Sequence, residues 1–543
     1  MGRAERGRRG RCGETGSSGA HAGTAYGSPV IETQVLVVGG GATGVGVARD
    51  AALRGLRVVL VERHDLAEGT TGRFHGLLHS GGRYVVRDPR SAKECMDENR
   101  ILRRIAAHCI EDTGGLFVCT PGDDEEYADG FVASCAEAGV DAEEIGAAEA
   151  LRREPRLHPG LTRAFSVPDA AVDTWRLVGA CADDVERRGG TVLRRHEVVS
   201  LIVEGDAVRG ARVRDARTGE EIEVRAEITV SATGAWAGKV AAMAGCDVHV
   251  RGGRGIMVAL NHRLTHAVVN RCRMPSDSDI LVPAHTVCVL GTTDVSTDDP
   301  DDTRIPADEV RQMLEDGSEM VPHIRDARVL RAWAGIRPLY SEGDAGAPTR
   351  ELTRDLTLLD HHEREGVGGF LTITGGKLTT FRLMAEVTVD AVCEHLGVEA
   401  RCTTADEALP GSEDGHLQTV GERLAERERT LHDEQIVCEC ELVTRGMLLD
   451  AAATRPVTGL DDLRRATRLG MGPCQGGFCI PRAAGLLAAA GAMEPPAVNA
   501  AVRAFVEERW KGGWPILEGR QARQMRLDDW MFHGALDIDH LPG

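Results

Sequence analysis

Lysine is almost missing from this 543-residue chain: only Lys93, Lys239, Lys377 and Lys511 occur, so 60 of the 64 basic residues are arginine. Positive charge is short overall as well. The formal net charge is −20, which argues against a polyanionic nucleic acid as partner. Acid excess with so few lysines speaks to solubility and source, and it makes each lysine conspicuous. No run of 18 or more apolar residues occurs, so no membrane-spanning helix is expected. The first 29 residues are rich in Arg, Gly and Ser and lack the apolar stretch of a secretory signal. A disordered extension, or a start placed too early, is expected there. Eleven of the 15 cysteines, among them Cys95, Cys109, Cys181 and Cys272, lack the spacing of a disulfide framework. In a long chain they read as reduced core thiols of a cytosolic protein. The length itself exceeds what one hydrophobic core serves and predicts three or so domains.

The other four cysteines carry chemistry. Cys438 and Cys440 (IVCECELVT) are followed after 33 residues by Cys474 and Cys479 (MGPCQGGFC). Thiolates are the ligands of iron–sulfur clusters, and a [2Fe–2S] centre takes four of them. The spacing is neither that of paired C-x2-C zinc sites nor that of the common ferredoxins. Gly470, Gly472, Gly476 and Gly477 crowd the second pair, so backbone N–H groups can approach the sulfurs. A zinc knuckle and a pair of disulfides are the competing readings. The pattern resembles the bacterioferritin-associated ferredoxin-like [2Fe–2S] domain, which implies a small helical unit over 435–490 with these four residues as metal ligands.

The front of the chain reads VLVVGGGATGVGVARDAALRGLRVVLVE over residues 35–62. An apolar run fits a buried parallel strand, Gly39-x-Gly41-x-x-Gly44 turns into an Ala-rich helix, and a second strand ends at Glu62. The first glycine allows the tight turn, the second lets backbone approach a pyrophosphate at the helix N-terminus, and the third permits close helix–strand packing. Glu62 falls where an acid accepts the ribose hydroxyls. This is a dinucleotide fold. Two later segments favour FAD over NAD. ITVSATGAW (228–236) is a strand ending in a small-residue turn at Ala232 and Gly234, the return beneath an FAD pyrophosphate. FLTITGGKLTTFR (370–382) is a strand, the Gly375-Gly376 turn and a helix start at Leu378 and Thr379, able to stabilise negative charge at a reduced flavin edge.

Several segments together resemble one family: GTTGRFHGLLHSGGRY (69–84), VVNRCRMPSDSDILVP (268–283), GTTD (291–294), WAGIRPLY (333–340), TRELTRD (349–355) and GGKLTTFR (375–382). They are similar to the FAD-dependent glycerol-3-phosphate dehydrogenases, and the terminal cysteines point to the anaerobic A-subunit branch of that family. The resemblance runs from about residue 33 to near the C-terminus. It implies an α/β fold: a glutathione-reductase-like FAD-binding Rossmann domain, a mixed-sheet cap and substrate domain, and the small helical [2Fe–2S] domain. It implies oxidation of sn-glycerol 3-phosphate at C2 to dihydroxyacetone phosphate, hydride passing to flavin N5. Electrons then go on toward quinone through the partner subunits of a complex, the cluster on their route. The chain would be cytoplasmic and peripherally held at the inner face of the membrane by those subunits.

The same resemblance assigns residues. Gly39, Gly41, Gly44, Glu62, Arg63, Thr71, His75, Ser80, Ala232, Gly234, Gly375, Gly376, Leu378 and Thr379 would hold FAD. Arg83, Tyr84, Arg337, Arg354 and Lys377 would hold substrate, because a phosphate dianion needs guanidinium forks or ammonium groups. His75, Lys377 and Arg337 would serve catalysis. Oxidising an alcohol needs a group to take the hydroxyl proton. The single-subunit relatives carry a histidine in the segment that here reads RGGRGIMV (251–258), which has none. His75 and His79 could serve instead.

The expected organisation has a discontinuous FAD part (about 30–90, 165–240 and 355–395) and a cap part (about 91–165 and 241–354). An acidic linker (396–434, including TTADEALPGSEDG) leads to the cysteine domain, and a helical tail runs from 491 to 543. Half of the six tryptophans lie in that tail, which either docks on the protein's own body or meets a partner. Two rival functions remain at this level. One is an FAD-dependent dehydrogenase of an amino acid or 2-hydroxyacid with the same iron–sulfur module. The other is a redox sensor without flavin.

Overall fold

The computed structural model describes residues 29–340, 349, 352, 354–417, 419–430, 435–454 and 457–542. The extension expected over 1–29 lies outside them except for Pro29. Residues 35–38 and 58–61 are buried on both sides, as strands inside a covered parallel sheet must be. Strand Val30–Val38 lies between Val58–Glu62 and Glu221–Ser231, parallel to both, with Val35 opposite Val58 and Ile228. Thr191–Arg194 extends the sheet beyond Val58–Glu62, and Phe370–Gly375 runs parallel to the end of Glu221–Ser231. An antiparallel hairpin, His196–Glu204 and Ala207–Asp215, pairs with the start of that strand, and Leu356–Asp360 pairs with Phe370–Gly375. These eight strands form one sheet. The parallel strands all end at one edge, so Gly39, Arg63, Ala232 and Gly376 are brought together there, the place where open α/β sheets bind ligands.

One face of this sheet carries three helices. Ala42–Leu53 packs between Thr174–Arg187 and Phe381–Leu396. Its small residues make that possible: a Cβ on Gly46 would stand 3.0 Å from the Phe381 ring and 3.2 Å from Ala385. A buried ion pair, Arg49 to Asp184 at 2.7 Å, ties the first two helices.

A second sheet of nine strands is mixed. Its spine is the antiparallel pair Val250–Leu260 and Val329–Tyr340, with Arg337 opposite Gly253. Gly115–Cys119 runs parallel to Val268–Arg271 and is buried throughout. Phe117 of this strand packs at a tilt on Phe131, and Phe131 on Phe165, with centroids 4.8 and 5.2 Å apart. The result is the Rossmann domain with mixed-sheet cap that the sequence leads one to expect.

The acidic segment 403–415 is not free of the body. Leu409 is fully buried and its N–H donates to the Ile105 carbonyl at 2.7 Å, while Arg382 and Arg49 donate to Thr404 Oγ1 and the Glu407 carbonyl. Turn-rich composition marks a segment without regular structure, not one without contacts. The C-terminal unit pairs Ile436–Cys438 with Val443–Thr444 and adds helices Arg445–Thr454, Leu460–Thr467, Cys479–Ala489 and Pro495–Gly513. Val498, Val502, Phe505 and Val506 of the last helix face inward against Val437, Ile480 and Leu487, so the tail docks on its own chain. Trp514 and Trp530 remain 71 % and 64 % exposed.

Candidate active site and metal centre

At the sheet edge lies a groove of about 590 Å³. Gly39 adopts φ +110°, and a Cβ there would lie 2.6 Å from the Ala232 carbonyl oxygen. A Cβ on Gly44 would lie 1.8 Å from the Gly39 carbonyl oxygen, so the third glycine serves helix–strand packing and does not reach the groove. Gly41 caps the helix and lines the groove beside Thr71, whose Oγ1 accepts from the Ala42 N–H at 3.1 Å. The carboxylate of Glu62 accepts from the N–H groups of Gly40 (2.7 Å) and His64 (2.8 Å) and faces the groove. Burial pushes its pKa up and these amides pull against that. Arg63 lies 4.3 Å over the Trp236 ring at the groove rim. His75, Ala232, Gly234, Gly375, Gly376 and Leu378 also line it. Ser80 and Thr379 do not: both are buried behind the wall. The Ser80 N–H donates to Asp169, and Thr379 Oγ1 accepts from the His79 N–H. They hold the loop 75–84 in place rather than touch the groove. A glycine-walled channel with a helix N-terminus, an acid and a second Gly-Gly turn fits a dinucleotide such as FAD.

A second cavity of about 370 Å³ abuts the first and shares His75, His79, Tyr84, Arg337 and Arg354 with it. Five arginines line it (Arg73, Arg83, Arg87, Arg337 and Arg354) against two acids, Asp88 and Asp294. Arg337 is held by Asp294 Oδ1 at 3.0 Å, Thr292 Oγ1 at 2.9 Å and the Thr293 carbonyl at 3.1 Å. The glycines of the 251–258 segment now have a reason. A Cβ on Gly255 would stand 2.6 Å from Arg337 Nη2, and one on Gly253 would stand 2.7 Å from Asp294 Oδ1. Lys377 reaches the first cavity, donating to Ser91 Oγ and the Arg354 carbonyl, both at 3.1 Å, with its Nζ 5.3 Å from the centre of the Tyr84 ring. Arg83 lies 3.7 Å from Asp279. The supporting groups Asp169, Asp294, Thr292 and Ser91 escaped the sequence reading. Only Asp294 and Thr292 had a signal, the GTTD segment.

The two histidines differ. The Leu77 N–H donates to His75 Nδ1 at 3.2 Å, so neutral His75 carries its proton on Nε2. Burial pushes its pKa down to about 3, helped by Arg337, Arg83 and Arg354. The ring of His79 makes no hydrogen bond among the described residues and lines both cavities, 5.6 Å from the Tyr84 ring. Burial, then His75, Arg83, Arg354 and Lys377, hold it well below the usual histidine range. His75 is therefore built as a donor toward the cavities and His79 is available as an acceptor.

The four cysteines converge in the C-terminal unit. Cys438 ends a strand, Cys440 lies in the turn after it, Cys474 sits in a loop and Cys479 begins a helix. Cys440 and Cys474 are 3.9 Å apart at sulfur. Contact with Cys440 and then Cys479, together with the N–H groups of Gly476 and Phe478, holds Cys474 far below the ordinary thiol range. The Cys479 contact and the N–H groups of Gly470 and Glu441 lower Cys438 to about 7. Contacts Cys440–Cys474, Cys474–Cys479 and Cys479–Cys438 link all four sulfurs in one cluster. Four thiolates gathered at one place are the donor set a [2Fe–2S] centre takes. The unit is tied to the FAD-binding body: Arg465 binds Asp65 at 2.9 Å and Glu68 at 3.0 Å, and Arg468, held by Glu441 of its own unit at 2.9 Å, reaches Asp173 at 3.4 Å.

Residues 34–382 match the FAD dependent oxidoreductase family and residues 436–489 the BFD-like [2Fe-2S] binding domain. The chain is 44 % identical over 529 residues to the A-subunit of the anaerobic glycerol-3-phosphate dehydrogenase of Escherichia coli (strain K12), covering 93 % of this chain and 97 % of that protein. The chain belongs to the anaerobic glycerol-3-phosphate dehydrogenase A-subunit family. Another member, the A1-subunit of the Haloferax volcanii enzyme, is 45 % identical over 538 residues, covering 94 % of this chain and 91 % of that one. The crystal structure of a glycerol-3-phosphate dehydrogenase from Bacillus halodurans, complexed with FAD, shares the fold of this A-subunit family member. Its TM-score is 0.61 at 22 % identity, over 92 % of this chain and 95 % of that one.

Proposed function

We propose that the chain oxidises sn-glycerol 3-phosphate at C2 to dihydroxyacetone phosphate, with FAD as the immediate acceptor. The observation that carries the reading is the five-arginine chamber sharing a wall with the nucleotide groove. Phosphate as a dianion needs several guanidinium forks. A lone carboxylate, as on proline, carries one charge and leaves most of the chamber unused. Bound FAD supplies a two-electron acceptor that can release electrons singly. Arg337, fixed by Asp294 and Thr292, and Arg354 clamp the phosphate and so orient C2 toward the shared wall. His79 takes the C2 hydroxyl proton, and His75 donates from Nε2 to an oxygen. Lys377, pinned by Ser91 and the Arg354 carbonyl, keeps positive charge at the wall without moving. A dye-linked assay tests the reading: glycerol 3-phosphate is expected to reduce the dye, and glycerol, proline and 2-hydroxyglutarate are not. Activity with one of the latter and none with glycerol 3-phosphate would reject it. Arg337→Ala is expected to raise KM roughly 10- to 150-fold, the loss of a charge-assisted contact of about 1.5–3 kcal/mol.

The histidines set the pH dependence. Their neutral forms are the working ones, and both pKa values in the free enzyme lie below the usual range. The free-enzyme profile, kcat/KM, should then show no histidine limb above pH ~6, where the second phosphate ionisation of the substrate falls. Bound dianion offsets the arginines and raises the His79 pKa, so the acid limb of kcat should lie at higher pH than any enzyme limb of kcat/KM. His79→Gln should lower kcat by about 100-fold or more. A full-rate His79→Gln enzyme would transfer the base role elsewhere.

We further propose that electrons leave through the [2Fe–2S] centre to partner subunits and then quinone, and that these subunits hold the chain at the inner face of the membrane. In support, no helix among the described residues is long and apolar enough to cross a membrane. Phe478, next to the ligand Cys479, is 57 % exposed on the same unit as Trp514 and Trp530.

A further inference from the structure

Away from both centres, three groups with ligand atoms converge at the outer edge of the FAD-binding sheet. Cys246 follows the helix Ala237–Ala242 and is 4 % exposed. His361 and Glu365 stand one turn apart on the helix His361–Glu365. One ligand atom from each, Sγ, a ring nitrogen and a carboxylate oxygen, all lie within 4.8 Å of one another. His361 is fully buried, stacked on Phe370 at 4.6 Å, and its Nε2 is 2.9 Å from Thr372 Oγ1. Its Nδ1 points at Glu365 Oε2, 2.9 Å away. The other oxygen of Glu365 lies 3.8 Å from Arg364.

We infer that Cys246, His361 and Glu365 bind a single Zn2+ ion, with water as fourth ligand. The donor set of one thiolate, one imidazole and one carboxylate is that of a borderline-soft ion, and three protein ligands plus water is a recurring zinc arrangement. Bond lengths of about 2.0–2.3 Å at tetrahedral angles place ligand atoms roughly 3.3–3.7 Å apart. The 2.9 Å Nδ1–Oε2 pair must open slightly to take the ion. The second contact of His361 is what a ligating imidazole needs: with Nε2–H donating to Thr372 Oγ1, the Nδ1 lone pair is free for the ion. Glu365, 24 % exposed at the side chain, supplies the way in from solvent. On binding, the Cys246 thiol releases its proton to solvent and His361 changes tautomer, with no change in oxidation state. The ion would clip the entry to the cap strand Val250–Leu260 onto Phe370–Gly375, the strand that leads into the Gly-Gly-Lys turn of the active site.

The test uses flavin-loaded protein with its full iron content, so that the four cluster cysteines are already occupied. Equilibrium dialysis against micromolar ZnCl2 followed by metal analysis should give one zinc per wild-type chain. His361→Ala removes a packed core ring, so the informative variants are Cys246→Ala, which should retain none of that zinc, and Thr372→Val, which should bind roughly 10- to 100-fold more weakly. Zinc-edge absorption of the wild type should show one sulfur neighbour. Absence of zinc from the wild type, or an unchanged equivalent in Cys246→Ala, overturns the assignment.

Discussion

Replacing Cys474 by Ser should leave an enzyme whose flavin is still bleached by glycerol 3-phosphate but whose [2Fe–2S] signal is gone. The arrangement of the chain separates the two halves of the reaction. The groove and the arginine chamber are built from residues 38–88, 196–198, 232–303, 335–339 and 352–384. None of their lining residues belongs to the cysteine unit. Substrate oxidation therefore needs nothing from Cys474, whereas a cluster loses one of its four thiolates. The rhombic paramagnetic-resonance signal of the reduced centre should vanish. Stopped-flow bleaching of flavin should keep its rate to within about twofold, since no group near the reacting atoms changes. Quinone reduction by the assembled complex should fall to background. If quinone reduction survives while the signal is lost, the cluster lies off the electron route. Stoichiometric zinc in place of iron in the wild-type protein would remove the electron-relay reading altogether.

Gly41→Val should give a colourless protein. A Cβ at Gly41 meets only Thr71 Oγ1 at 3.1 Å within the fold, so the substitution costs little in protein packing. Its two methyl groups point instead into the groove, where a pyrophosphate must approach the backbone at the helix N-terminus. Flavin absorbance after purification should be lost and dehydrogenase activity with it, while the folded state persists by circular dichroism. The contrast is Gly44→Val, where a Cβ would lie 1.8 Å from the Gly39 carbonyl oxygen. That variant should fail to fold rather than fold without flavin. Full flavin content in Gly41→Val would place the cofactor away from the glycine turn.

Much of the active site could be read along the chain because its chemistry is local. A tight turn before a helix needs glycine at fixed offsets, so Gly39, Gly41 and Gly44 were legible, and buried parallel strands need continuous apolar runs. Cys438, Cys440, Cys474 and Cys479 were legible because soft ligands at unusual spacing have few other uses. The choice of a two-iron centre over a zinc knuckle came from the resemblance of that spacing to a known domain, and residues 436–489 match the BFD-like [2Fe-2S] binding domain. That the two pairs meet across 33 intervening positions is a matter of tertiary structure. The catalytic histidine was undecided for a similar reason. His75 and His79 are four residues apart, on either side of the short strand Leu77–Leu78, and only the Leu77 N–H donating to His75 Nδ1 distinguishes a donor from an acceptor.

By itself, then, the order of residues determined the dinucleotide fold and marked out the four cysteines as candidate ligands, because both depend on residue type and short-range geometry, while the arginines and lysine were singled out by resemblance to a family. Tertiary structure alone decided which of the FAD candidates reach the groove. Ser80 and Thr379 turn away into hydrogen bonds with Asp169 and the His79 N–H. It also decided that Arg337 is oriented by Asp294 and Thr292 across glycines left bare for it. The tail helix Pro495–Gly513 covers its own cysteine unit while Trp514 and Trp530 stay in solvent. These outcomes depend on which distant segments meet, and long-range packing, unlike helix periodicity or a glycine turn, leaves no pattern in any short stretch of chain.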